Sequence, residues 1–270
     1  MEKRRIDIEL VRREMFSSRE KAVDAIKNRQ VQIAGKVIDK PSFLVAEDAE
    51  IVIGEQLLPY VSKGGLKLEK AVKTFRLDFK DKIVLDVGCS TGGFADCALQ
   101  NGAKHVYGID VGVNQLAASL QNNPQLTYIE GLNVKDLLPA HLNDNQPDWV
   151  VADLSFISLT YMFEYVKPLL HKQSCMLLLI KPQFELNAAC LDKNGIVRNV
   201  KHHIVAIDRV VRKAAEYGLF MEKIDFAPLM SYKKNIEYIT LFSQLQHVVQ
   251  YDYTSVVEAA FAEKKKMKRI

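Results

Sequence analysis

Ile83-Val84-Leu85-Asp86-Val87-Gly88-Cys89-Ser90-Thr91-Gly92-Gly93-Phe94 is the stretch on which the fold of this chain turns. A short apolar run breaks into glycines and gives way to a helical pattern over Ala95 to Gln100. This is how an α/β protein brings its backbone against a nucleotide-like ligand. The spacing is Gly88-x-x-x-Gly92-Gly93, not the G-x-G-x-x-G of dinucleotide folds, and no phosphate-binding G-K-[ST] follows. An acid at the strand end, Asp86, would repel a pyrophosphate and suits a cationic ligand such as S-adenosylmethionine. Asp86, Gly88, Ser90, Gly92, Gly93 and Phe94 are therefore expected to border that ligand. The bland alternative is a glycine turn that only lets helix and strand pack.

The next strand, His105 to Ile109, ends in Asp110, eighteen residues after Gly92. That spacing places a carboxylate beside the first strand's end, where it can accept both ribose hydroxyls. Asn133 and Val134, just beyond the strand Leu126–Ile129, are placed to meet the adenine. Further strands are expected at Trp149–Ala152, Met176–Ile180, Met221–Phe226 and Tyr238–Phe242, alternating with helices. The fold class is thus α/β, a Rossmann-like seven-stranded sheet whose last strand runs antiparallel.

In such a sheet ligands bind at the carboxyl ends of the parallel strands. Asp153 and Lys181 follow two of those strands, and Glu237 stands at the start of the antiparallel one. Lys67, on a basic helix leading into the fold, can cap the group. Such a Lys-Asp-Lys-Glu set suits removal of a proton from a weakly acidic hydroxyl, with Lys181 as base, Asp153 and Glu237 as holders and Lys67 steering the hydroxyl. Asp153-Leu154-Ser155-Phe156 stands where a base-methylating enzyme carries an Asn/Asp-Pro-Pro-Tyr/Phe loop, and no C-methylating cysteine pair is present.

The 270 residues suit a small domain plus a larger one, divided here as 1–59, a linker 60–65, 66–246, and a basic tail 247–270. With 48% hydrophobic and 26% charged residues, and no apolar run of membrane-spanning length, the composition is that of a soluble globular protein. No signal-peptide core follows Met1, and the four cysteines form no C-x-x-C pair, so a cytoplasmic protein without disulfide framework or metal site is expected. His202-His203 has no partner at ligand spacing, Trp149 reads as structural, and Phe184 beside Lys181 could stack a base or fill the core. The net charge of +4 is unevenly spread: residues 1–40 and 62–76 each carry +4 and 258–270 carry +3. Three basic clusters suit a polyanion.

The first domain reads as two short helices and a small sheet: an apolar run Ile6 to Val11, a Ser17-Ser18 cap, a helix Arg19–Lys27, and a hairpin Val31 to Ile38 around Ala34-Gly35. A break at Leu57-Leu58-Pro59 closes it. Its run V-x-I-A-G-K-V-I-D-K-P, with basic residues along the helices including Arg29, resembles the alpha-L RNA-binding motif of a small-subunit ribosomal protein. The resemblance implies RNA contacts from Arg4, Arg5, Arg12, Arg13, Arg19 and Lys21, with Lys63 at the junction.

V-S-K-G-G-L-K-L, L-D-V-G-C-S-T-G-G-F, V-V-A-D-L-S-F-I-S-L, L-I-K-P-Q-F-E and N-I-E-Y together resemble the hemolysin A (TlyA) family of ribosomal RNA 2′-O-methyltransferases over nearly the whole chain. That family joins an alpha-L domain to an FtsJ-like catalytic domain. The resemblance implies S-adenosylmethionine-dependent methylation of cytidine ribose in ribosomal RNA, with the tetrad at Lys67, Asp153, Lys181 and Glu237. Where the family often has a glycine-rich loop, this chain has Leu229-Met230-Ser231-Tyr232-Lys233-Lys234. Two other readings are a membrane-active haemolysin and a non-catalytic ribosome-binding factor.

Overall fold

The computed structural model describes residues 3–16, 18–27, 30–53, 59–246 and 252–268. Ser17, Arg29 and Leu57-Leu58 lie outside the described residues. The chain divides into two compact units, Met1–Pro59 and Tyr60–Ile270.

In the first unit β1 (Lys3–Arg5) runs into α1 (Ile6–Arg12), followed by α2 (Arg19–Lys27), β2 (Val31–Ile33), β3 (Lys36–Ile38), β4 (Leu44–Ala46) and β5 (Ile51–Ile53). β1 pairs with β4, and β2 lies between β3 and β5, all antiparallel. Ala34 and Gly35 turn the β2–β3 hairpin with φ of 48° and 74°, the left-handed pair that matches a hairpin's twist. Ile6, Leu10, Ala22, Ile26, Val31 and Val45 fill the core.

Two acids of α1 are buried there. Asp7 accepts from Arg5 at 3.0 Å and Arg19 at 2.9 Å, and Glu9 from Arg12 at 2.8 Å and Arg13 at 2.7 Å. Arg12 above all, with Arg13, holds the Glu9 carboxyl down at about 2 against the pull of burial. Arg13 also donates to the carbonyls of Ala49 and Glu47. Four arginines expected to meet RNA, Arg5, Arg12, Arg13 and Arg19, are thus engaged in holding this unit together. Lys21 is exposed and Arg4 half-buried.

The second unit comprises α3 (Lys63–Phe75), β6 (Ile83–Val87), α4 (Gly93–Gln100), β7 (His105–Asp110), β8 (Leu126–Glu130), β9 (Trp149–Ala152), α5 (Phe163–Val166), β10 (Cys175–Ile180), α6 (Pro182–Glu185), α7 (Val200–Glu216), β11 (Phe220–Phe226), β12 (Tyr238–Ser243) and α8 (Tyr253–Met267). Among the described residues, seven strands form one sheet in the order β11-β12-β10-β9-β6-β7-β8. β12 is antiparallel to both neighbours, and the run from β10 to β8 is parallel. Successive strand residues point to opposite faces and both faces are covered. Leu85, Val150 and Leu178 therefore enter one apolar cluster, while Val84, Val151 and Leu177 enter the other.

The chain steps outward from β6 through β7 to β8, then returns to lay β9 on the other side of β6. A crevice therefore opens at the carboxyl ends of β6 and β9, the switch point of the topology.

Two boundaries differ from the sequence expectation. Residues 60–65 are packed rather than a loose linker: Tyr60 is buried and α3 already starts at Lys63. A Cβ on Gly65 would lie 2.3 Å from the Tyr60 ring, so the glycine is what lets that ring seat. Residues 253–267, read as part of a basic tail, form a helix whose Val257 and Ala260 are buried in the core.

Candidate active site

A cleft of about 470 Å³ occupies the crevice, within the range of small-molecule sites. Gly88, Ser90, Asp110, Asn133, Val134 and Asp153 line it, all of them expected from the sequence. Gly88 turns the chain out of β6 with φ of 82°, and a Cβ there would sit 2.8 Å from Leu154 Cδ2. Asp110, at the end of β7, is fixed by two backbone amides: Oδ2 accepts from Ser90 at 2.8 Å and Oδ1 from Gly112 at 2.7 Å. Each oxygen keeps a lone pair for a ligand hydroxyl. Asn133 caps the next 3-10 turn, its Oδ1 accepting from the Lys135 amide at 3.1 Å.

The other expected cofactor contacts sit elsewhere. Asp86 does not line the cleft; it is buried, with Oδ2 accepting from the Ala95 amide at 3.1 Å inside the first turn of α4. Burial raises its carboxyl to about 7, opposed by the Cys89 thiol and that amide. Its work is to anchor α4 on β6. Gly92, at φ of 89° against Leu120, serves the turn. A Cβ on Gly93 would meet Ser62 Oγ at 2.2 Å and the Gly65 nitrogen at 3.0 Å, so Gly93 lets α3 and α4 touch. Phe94 is buried and borders a smaller hollow with Gly93.

That close approach carries α3 over the crevice and delivers Lys67. The smaller hollow, about 250 Å³, shares Gly88, Ser90, Asp153 and Ser155 with the cleft and is bordered by Lys67 and Lys181. Lys67 Nζ lies 2.8 Å from Asp153 Oδ2 and 2.8 Å from Glu237 Oε2. Lys181 Nζ lies 2.8 Å from Asp153 Oδ1 and donates to Ser155 Oγ at 2.7 Å. The four residues from α3, β9, β10 and the start of β12 thus form one line of alternating charge. Lys181 is the most enclosed, its side chain 7% exposed against 22% for Glu237.

Burial pulls the Lys67 ammonium toward losing its proton, but Asp153 and Glu237 outweigh that and leave its pKa above the ordinary lysine value. Burial likewise pushes Asp153 up, and the two lysines reverse it, leaving the carboxyl below its usual range. The basic cluster on α3 is largely spoken for. Lys70 pairs with Asp225 at 2.9 Å and Lys73 with Glu69 at 2.7 Å, leaving Lys63 exposed at the helix start.

Sequence reasoning missed the far wall of the cleft, Leu154 to Ser158 with Tyr161 and Met162. Its brace is the buried Glu185, which accepts from the Leu159 amide at 2.8 Å and from the Ser158 hydroxyl. Burial raises the Glu185 carboxyl, those hydrogen bonds opposing it. The signal lay in two motifs seen separately, A-D-L-S-F-I-S-L and K-P-Q-F-E, which meet here. Phe156 stands 91% exposed at φ of 66°, its ring 5.3 Å from that of Phe184. No group of three His, Cys, Asp or Glu among the described residues could hold a metal ion.

Residues 60–243 match the FtsJ-like methyltransferase family and residues 4–51 the S4 domain. YqxC of Bacillus subtilis, assigned as an rRNA methyltransferase, is 40% identical over 88% of this chain and 84% of its own. The 16S/23S rRNA (cytidine-2′-O)-methyltransferase TlyA of Mycobacterium tuberculosis is 34% identical, the match covering 87% of each chain. A solved structure of a protein assigned as a hemolysin from Streptococcus thermophilus superposes with a TM-score of 0.78, at 34% identity, covering 100% of both chains.

Proposed function

The chain belongs to the FtsJ-like methyltransferase family, in its TlyA/hemolysin A branch, and from that premise we propose that it methylates the 2′-hydroxyl of a ribosomal RNA nucleotide, a cytidine, with S-adenosylmethionine as donor. The observation that carries the reading is the line Glu237–Lys67–Asp153–Lys181 standing where the smaller hollow meets the cleft. The cleft supports this donor: each Asp110 oxygen keeps a lone pair for a ribose hydroxyl, and Asn133 and Val134 line the same cleft, where we assign them to the adenine. When bound, S-adenosylmethionine supplies an electrophilic methyl group on a sulfonium sulfur.

The chain's own residues then have distinct work. A ribose hydroxyl does not ionise at cellular pH, so a base must take its proton as the oxygen attacks. Lys67 faces two carboxylates and stays an ammonium that orients the hydroxyl. Lys181 faces one carboxylate and one hydroxyl and is assigned the base. Asp153 bridges the lysines, and Glu237 fixes Lys67 from the other side. Much of the remaining rate comes from alignment of the acceptor in the hollow.

Residues 1–59, the S4-bearing unit, are assigned to RNA docking and residues 66–246 to catalysis, in the cytoplasm, on ribosomal RNA or its subunits. No helix among the described residues is long and apolar enough to cross a membrane. The test is methyl transfer from labelled S-adenosylmethionine to ribosomal subunits, followed by mapping of the modified nucleotide. Label on a ribose 2′-oxygen supports the reading; label on a base or on protein, or none, sinks it.

A further inference from the structure

A second hollow, about 840 Å³, lies among residues 194–198, residues 232–233 and the last turns of α8. Arg198, Lys233, Lys264, Lys265 and Lys268 line it together with Tyr232, 39% exposed, and Phe261, whose ring packs edge-on against His203. The carboxylate at hand, Asp192, is taken by Arg198 at 2.6 Å. Lys266, on another side of α8, pairs with Glu263 at 3.2 Å, whereas among the described residues Lys233, Lys264, Lys265 and Lys268 form no ion pair. Burial first, then the nearby Arg198 charge, hold the Lys264 ammonium below its ordinary pKa. Five cations facing a single carboxylate call for an anionic occupant.

The hollow is also wired to the candidate active site. Asn235 donates to the Gly195 carbonyl at 2.8 Å and accepts from the Val197 amide at 2.9 Å. His203 bonds the Val197 carbonyl at 3.0 Å and the Tyr238 hydroxyl at 2.9 Å. Lys264 donates to the carbonyl of Lys234. Residues on both sides of Glu237 are therefore tied to the hollow's walls. Lys233 lies four residues before Glu237, a reach of at most about 14 Å along the chain.

We propose that this hollow seats the phosphodiester backbone of the RNA substrate a few nucleotides from the methylated position, and that seating it fixes the segment carrying Glu237. The inference rests on the reading that the enzyme acts on RNA. Grooves for single-stranded nucleic acid combine a cationic track with exposed aromatic side chains, here the lysines and Tyr232. A membrane surface would instead meet a helix presenting its apolar face, and the apolar residues of α8, Val257 and Ala260, are buried in the protein. The loop Leu229–Lys234, which departs from the glycine-rich pattern, supplies Tyr232 and Lys233 to this surface.

The test uses the full chain with Lys264, Lys265 and Lys268 all changed to Gln, beside the charge-keeping change of all three to Arg. Binding to 16S and 23S rRNA transcripts is measured across a salt series, and S-adenosylmethionine affinity is the check on folding. The Gln variant should bind rRNA at least about tenfold more weakly, and its log–log salt slope should be shallower by about two, from roughly 0.7 per lost single-strand phosphate contact. The Arg variant should keep both, and Tyr232→Ala should cost about tenfold through lost stacking. Unchanged affinity and slope in the Gln variant overturn the inference. So does a variant that keeps rRNA binding but loses binding to phosphatidylglycerol vesicles. A wild type that binds rRNA through this hollow but transfers no methyl leaves the inference standing and sinks the proposed activity; one that binds no rRNA sinks both.

Discussion

Replacing Lys181 by arginine separates a base from a mere positive charge. Lys181 lies 2.8 Å from Asp153 and 2.7 Å from the Ser155 hydroxyl, 7% exposed. Arginine keeps the charge and can still pair with Asp153, but a guanidinium does not give up its proton near neutral pH. If Lys181 takes the proton, Lys181→Arg loses the general-base contribution, about 10²–10⁴-fold in rate, which is about 3 to 5 kcal/mol of barrier at 1.36 kcal/mol per decade. Lys181→Ala should lose at least as much. The loss is in chemistry, because Asp153 keeps Lys67 at 2.8 Å and the cofactor cleft is lined without Lys181. Single-turnover methylation of rRNA reads the chemical step, and calorimetry should show nearly unchanged S-adenosylmethionine affinity. A Lys181→Arg enzyme within about tenfold of wild type, short of what a general base contributes, would mean the lysine acts only as a charge.

Asp110→Ala should weaken S-adenosylmethionine binding by about 1–3 kcal/mol, since it strands the Ser90 and Gly112 amides and removes the ribose acceptor; unchanged affinity by calorimetry would refute the assignment. Gly93→Ala drives a Cβ to 2.2 Å from Ser62 Oγ and 3.0 Å from backbone, so it should cost about 1–3 kcal/mol and lower the Tm, with activity falling as α3 and Lys67 shift. An unchanged Tm would mean α3 and α4 do not pack as described. His203 is buried, and its surroundings hold the ring's pKa down at about 4, so between pH 6.5 and 4 the unfolded chain takes up a proton that the folded one refuses. Stability should therefore rise with pH across that window, by at most about 3 kcal/mol at 1.36 kcal/mol per unit. Denaturant titrations of wild type and His203→Gln should show this slope flattened in the variant; equal slopes would count against a neutral buried ring.

The sheet was legible because strands buried on both faces leave near-continuous apolar runs, and glycines or acids punctuate their ends. Ile83–Val87 and Trp149–Ala152 are the strands read from the sequence, and the others differ by a residue or so at an end. The tetrad positions were legible for a topological reason: parallel strands present their carboxyl ends along one edge, so Asp153 and Lys181 had to share it. Direction of a side chain was not legible. Asp86 and Asp110 both end strands beside the glycine loop, yet one turns inward to α4 and the other lines the cleft. Nor was charge pairing. Arg5 and Arg12 look like RNA contacts in a basic sequence, and only tertiary burial of Asp7 and Glu9 shows what they hold. Gly64 and Gly93, far apart in sequence, have one cause, the contact of α3 with α4, whereas Gly65 makes room for the Tyr60 ring.

The order of charges along the tetrad bears on which member moves a proton. Lys67 and Asp153 are the interior members, each clamped between two opposite charges. Both are held in their charged forms against burial, Lys67 above the lysine range and Asp153 below the carboxyl range. Neutralising either would leave a neighbour facing a buried partner without its counter-charge, which is costly. On the proposed reading the proton is taken at an end of the line, by Glu237 or by Lys181. Lys181, not Glu237, lines the hollow that opens into the cofactor cleft. It also holds the Ser155 hydroxyl, on the loop that forms the cleft's far wall. In that proposal an acceptor hydroxyl entering the hollow meets Lys181 with the bridging Asp153 behind it, and Glu237 is left to keep Lys67 charged and in place.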